Sequence, residues 1–136
     1  MSSSTAFAND LLTALFKDGD FGATYIALHT ADPGAGGTQA TNELSYTGYA
    51  RQQVNPANWT VSGNGFSNTL AIEYPEATAV SGTPSATHFS IGNAASGAGK
   101  VLLRGKLTNV LPITVGQEPR FKAGLLSGAV DTSAPV

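Results

Sequence analysis

The chain has 136 residues, no cysteine, a net charge of −2 and only 12% charged residues, where a typical domain carries about 25%. That length suits one domain able to bury roughly two thirds of its unfolded surface. The missing cysteines exclude a disulfide framework and thiol catalysis, and the slight negative charge supplies no basic field to attract nucleic acid.

The N-terminal MSSSTAFANDLLTALFKDG has no basic start, and Asn9 and Asp10 interrupt its apolar run, so it does not read as a signal peptide. No stretch approaches the ~20 apolar residues of a membrane span. Residues 5–17 instead predict a short helix. Phe7, Leu11 and Leu15 recur at i, i+4 and i+8, with Leu12 and Phe16 beside them. Ser4 or Thr5 suits the N-cap, and Gly19 suits the exit. So short a helix is marginal alone in water and should dock on its own sheet or on a neighbouring subunit.

Everything after it reads as β. Ala23–Thr30 is the first predicted strand, with Ile26 and Leu28 on one face and Tyr25, Ala27 and His29 on the other. His29 is expected on the strand surface or rim. Asp32-Pro33-Gly34 signals a turn. Residues 31–46 form a long loop, too polar to hold a core and of a length usually reserved for function or disorder.

Strands follow at Tyr49–Val54 and Asn58–Val61, with Ser62-Gly63-Asn64-Gly65 as a tight turn. Thr69–Tyr74 alternates with Leu70, Ile72 and Tyr74 inward, and Pro75 ends it. Thr87–Ile91 places Phe89 and Ile91 inward. Lys100–Leu107 separates Val101, Leu103 and Leu107 from Lys100, Arg104 and Lys106. Leu111–Val115, Pro119–Leu125 (Phe121 and Ala123 inward) and Ser127–Val130 complete the series, and Asp131–Val136 reads as a loose tail. One helix and about eight short, turn-separated strands predict an all-β fold. The expected form is an antiparallel sandwich of jelly-roll type, with residues 1–136 as one domain and residues 1–20 as a helical arm.

Partial catalytic and ligand motifs fail on inspection. Ala94–Val101 resembles a phosphate loop in Gly-Ala-Gly-Lys, but it lacks the leading Gly, and Val101 stands where a hydroxyl would hold Mg²⁺. Asp18-Gly19-Asp20 opens like a calcium loop, but Gly22 takes the third acidic position and no Glu stands at the twelfth. His29 and His88 have no ligand-spaced companions, and no G-x-S-x-G occurs. No catalytic, cofactor or metal residue is assigned. Trp59 is the strongest candidate for a sugar-stacking platform.

The order of certain pieces is more telling than composition. Tyr25–Val54 reads YIALHTADPGAGGTQATNELSYTGYARQQV, residues 64–77 read NGFSNTLAIEYPEA, residues 83–97 read TPSATHFSIGNAASG and residues 113–125 read ITVGQEPRFKAGL. In this order they resemble a family of small virion proteins of tailed bacteriophages with "LHTADPG…GTQATNE…YTGYAR", "AIEFPEAT" and "TPRFPAGAL" segments, often labelled tail fibre proteins. The resemblance covers roughly residues 5–130.

It implies a structural role with no enzymatic activity and no cofactor, in the virion, after synthesis in the host cytoplasm. A fibre usually carries repeats or a coiled-coil stem. This chain has neither, so the expected role is capsid decoration, or cement, on the major capsid protein. The alternative is a tail, neck or baseplate part. Partners expected are the major capsid protein and further copies of the chain, as a dimer or trimer; neither nucleic acid nor membrane is expected. The candidate partner-binding residues are Phe7, Leu11 and Leu15 on the helix, Asp32 through Tyr46 on the loop, and the cations Arg51, Arg104, Arg120 and Lys122 toward acidic capsid surface.

Overall fold

The computed structural model describes residues 2–133. Among these residues the fold is all-β with one short α-helix, α1 (Thr5–Phe16), a 3-10 turn at Pro56–Asn58 and nine strands. These are β1 (Thr24–His29), β2 (Gln52–Val54), β3 (Trp59–Ser62), β4 (Gly65–Asn68), β5 (Ile72–Glu73), β6 (Ser85–Gly92), β7 (Val101–Pro112), β8 (Arg120–Phe121) and β9 (Ser127–Ala129). They make a four-stranded sheet in the order β2-β1-β6-β7, a three-stranded sheet β3-β4-β9 and a pair β5-β8. The described chain contains two compact units: residues 2–23, 54–72 and 121–133, and residues 24–53 and 73–120.

In the first unit α1 lies on β3 and β4. Ser4 caps it, its hydroxyl accepting from the Phe7 amide at 3.2 Å, and Gly19 leaves it at φ 71°. The buried stripe is Ala8, Leu12, Leu15 and Phe16, spaced i, i+4, i+7 and i+8. The Phe16 ring sits 4.5 Å from both Trp59 and Phe66, and those two meet edge-on at 5.9 Å. Trp59 is therefore a core residue, 1% exposed, which overturns the sugar-platform expectation.

Lys17 closes the same corner, its Nζ donating to the carbonyls of Pro56 and Trp59 at 2.9 and 2.7 Å. Asn68 is also buried. Its Nδ2 donates to the carbonyls of Leu70 and Lys122, and its Oδ1 accepts from the Leu126 amide. It thereby ties β4 to the 122–126 turn, where a regular strand to Leu125 was expected. Ala123 and Leu70 are exposed rather than inward. Of the tail, residues 131–133 are hydrogen-bonded, Asp131 accepting from Ser3 and Ser133; residues 134–136 lie outside the described residues.

In the second unit β1 pairs antiparallel with β6, Tyr25 opposite Gly92 through His29 opposite His88. All of β1 but Tyr25 is buried, so both of its faces are covered. The cover on the His29 face comes from residues 31–46, which is why the expectation of a coreless polar loop fails. Pro33, Gln39, Leu44 and Tyr46 are buried. The return limb runs back along β1, with the Thr30 amide donating to Asn42 O and the Leu44 amide to Leu28 O, both at 2.8 Å. β6 pairs with β7, but between Ala86–Leu111 and His88–Lys106 a single residue, Thr87, faces Leu107–Val110. β7 therefore bulges away from β6 at the place where the sequence predicted a break between two strands.

Candidate interaction surface

The expected partner residues fall into two groups. Phe7 and Leu11 are 59% and 39% exposed, whereas Leu15 is only 8% exposed. One expected apolar face is thus two. Leu15 joins the core stripe, and Phe7 and Leu11, one turn apart, point outward. Arg120 is exposed and lies 3.9 Å from Glu73, a loose ion pair. Lys122 is exposed.

Tyr46 and Arg51 do not belong on a surface. Tyr46 is buried and donates its hydroxyl to the Pro75 carbonyl at 2.7 Å, and burial raises its pKa. The Arg51 side chain is 2% exposed. Its Nε and Nη2 grip the two carboxylate oxygens of Glu43 at 2.7 and 2.9 Å, and Nη1 and Nη2 donate to the carbonyls of Ala94 and Gly97 at 3.0 and 2.6 Å. The Tyr49 hydroxyl donates to Glu43 at 3.0 Å while accepting from the Leu28 amide; burial, above all, raises its pKa. A planar guanidinium matched to a carboxylate and two carbonyls satisfies nearly all of its donors. Arg51 therefore fastens the 31–46 segment and the 93–99 turn together, and it is unavailable to a partner.

Two more buried polar groups hold the same segment, neither expected in the interior from the sequence. His29 is fully buried, not at a rim. Its Nδ1 meets the Thr41 carbonyl and its Nε2 meets the Ser90 hydroxyl, both at 2.8 Å. A carbonyl can only accept, so Nδ1 carries the proton and Nε2 accepts from Ser90. Burial pulls the His29 pKa below its ordinary 6.5. Gln39 donates to the Tyr25 carbonyl and accepts from the Ala94 amide. A Cβ at Gly92 or Gly99 would collide with its side chain, so these glycines make the room. The only advance sign of this packing was the glycine-rich 92–99 stretch.

What the sheet does present outward is a groove of about 420 Å³ lined by Asp32, His88, Leu102, Leu103, Arg104, Gly105 and Lys106. Arg104 Nε lies 3.0 Å from Asp32 Oδ1, both side chains being substantially exposed. The Gly34 amide bond to Asp32, and after it Arg104, hold that carboxyl below its usual range. His88 stands directly opposite Lys106 in the ladder. Of the expected residues the structure thus joins Asp32 with Arg104 and adds His88 and Lys106. The sequence put Arg104 and Lys106 on one face, but the β6–β7 register that brings His88 to them had no local signal. Among the described residues no group of three or more His, Asp or Glu side chains is placed to hold a metal ion, and no helix is long and apolar enough to cross a membrane.

The family described as podophage GP4 fiber I protein gp80 matches residues 2–129. The chain belongs to this family. The match spans both compact units and takes in α1, the 31–46 segment and all nine strands. It supports a phage virion structural protein and a place in the virion. No curated protein matches the sequence.

Proposed function

We propose that the chain is a non-enzymatic subunit of the phage virion, attached to a larger assembly as a fibre-type part of the tail region. The family match over residues 2–129, to a protein described as a fibre protein, carries this reading. The polar groups of the second unit agree with a mechanical role. Arg51, Glu43, His29 and Gln39 are spent on one another, on the hydroxyls of Tyr49 and Ser90 and on backbone carbonyls and amides, which stiffens a subunit that has to bear load. The exposed Phe7 and Leu11 on α1 give an apolar face for a neighbour, another copy of the chain in a dimer or trimer being the first candidate.

A second reading keeps the same subunit on the head, as a decoration protein bound to the major capsid protein. It is favoured by the absence of any repeat or heptad stem in the sequence. A decoration protein stabilises the shell by binding its assembled state alone. Immunogold labelling of intact virions separates the two. Gold confined to the tail or neck is the expected outcome, gold spread over the head replaces the fibre reading with decoration, and unlabelled virions overturn both.

A further inference from the structure

β7 is the last strand of the four-stranded sheet, so among the described residues no strand pairs with its outer edge. Apart from a bridge from Thr38 to Lys100 at its start, this edge offers main-chain groups to an added strand. Beside it lies the Arg104–Lys106 groove. Arg104 engages Asp32 through Nε, and His88 engages Thr87 through Nδ1. Among the described residues no partner is found for Arg104 Nη1 and Nη2, for His88 Nε2 or for Lys106 Nζ. The cationic donors of Arg104 and Lys106, gathered over one groove, call for anionic acceptors.

We propose that the β7 edge takes up an extended acidic segment of another virion protein as an added strand, with carboxylates at alternate positions seated on Arg104 and Lys106. Residues two apart on a strand share a face about 6.8 Å apart, so a Glu-x-Glu segment in register repeats the spacing of Arg104 and Lys106. Three observations select this occupant. The lining has no Phe, Tyr or Trp ring to make a stacking platform for a sugar or a base. The chain's net charge of −2 works against a polyanion such as nucleic acid. A second copy presenting its own β7 would set basic residues against basic residues, which rejects self-pairing at this edge. The inference rests on the reading of the chain as a virion subunit that grips a neighbour, and it holds for a head or a tail location alike.

The test uses the full chain and a fluorescent ten-residue peptide of alternating Thr and Glu, read by anisotropy. Saturable binding is expected, weakened about tenfold or more by Arg104→Ala with Lys106→Ala and lost when the peptide's amides are N-methylated. Asp32→Asn removes the internal competitor for Arg104 and is expected to tighten binding, a direction that a purely structural role for the pair would not give. No saturable binding, equal binding of a Thr–Gln peptide, or retention by the N-methylated peptide overturns the proposal. So does binding of polygalacturonate in place of the peptide, which would make the groove a glycan site. Immunogold on virions reads the underlying assignment separately, so a failure there and a failure here are distinguishable.

Discussion

Two arginine–carboxylate pairs in the same unit have the same chemistry and opposite roles. Arg51 and Glu43 meet through two parallel bonds with side chains 2% and 20% exposed, whereas Arg104 and Asp32 meet through Nε alone with side chains 40% and 52% exposed. In the first pair the ions have left water, and the surrounding carbonyls replace the lost hydration. In the second, water still solvates both partners, and the net gain from pairing is small. Burial decides which arginine is part of the fold and which is available to a partner. Residue type and neighbouring sequence do not show it.

Truncating each pair widens that contrast. Arg51→Ala leaves the Glu43 carboxylate partly buried without its counter-ion and frees the carbonyls of Ala94 and Gly97. It is expected to destabilise the protein by about 3–5 kcal/mol, seen as a lower denaturant midpoint with released protection of the 31–46 amides in hydrogen exchange. A midpoint within error of wild type would mean that the latch is not formed in solution. Trp59→Ala, in the other unit, removes the ring packed against Phe16 and Phe66 and is expected to cost about 3–5 kcal/mol. An unchanged midpoint would place that ring outside the core.

His29 extends the comparison to a buried group that titrates. The unfolded chain takes a proton near pH 6.5, and the folded chain only at lower pH, because burial disfavours the imidazolium. Between those values the unfolded state binds more protons, so stability rises with pH. The contribution is fully present above pH 6.5 and is lost as pH falls through the folded-state pKa. Glu43 opposes this shift, and Arg51 and His88 add to it. Denaturant midpoints measured between pH 7.5 and 5 are expected to fall in the wild type and to fall less in His29→Gln. Parallel slopes would remove His29 as the cause.

The order of elements was legible because turn residues and periodicity are local. α1, the turn at Ser62–Gly65 and the strand around Thr24–His29 all lie close to their expected places. Contacts made at long range were not. Which apolar stripe of α1 faces inward is decided by Trp59 and Phe66, about fifty residues away. The burial of His29 is decided by Ser90 and Thr41. The 31–46 segment looked coreless because its anchors, Gln39 and Glu43, are polar, and a polar residue reads as buried only once its partner is known. The groove was half legible: alternation set Arg104 beside Lys106, but the ladder register supplied His88.

The smallest expected effect is the sharpest test of the contrast between the two pairs. Asp32→Asn keeps the side chain's shape and its capacity to accept from the Gly34 amide, while removing the charge that Arg104 meets. Since both partners stay solvated, the melting temperature is expected to remain at its wild-type value, and raising the salt concentration should change variant and wild type alike. A clear loss of stability that salt reproduces in the wild type would mean that the Asp32–Arg104 contact helps hold the 31–46 segment down. Arg104 would then belong with Arg51 as a fastening residue, and the β7 edge would lose the side chain that makes it selective for acidic strands.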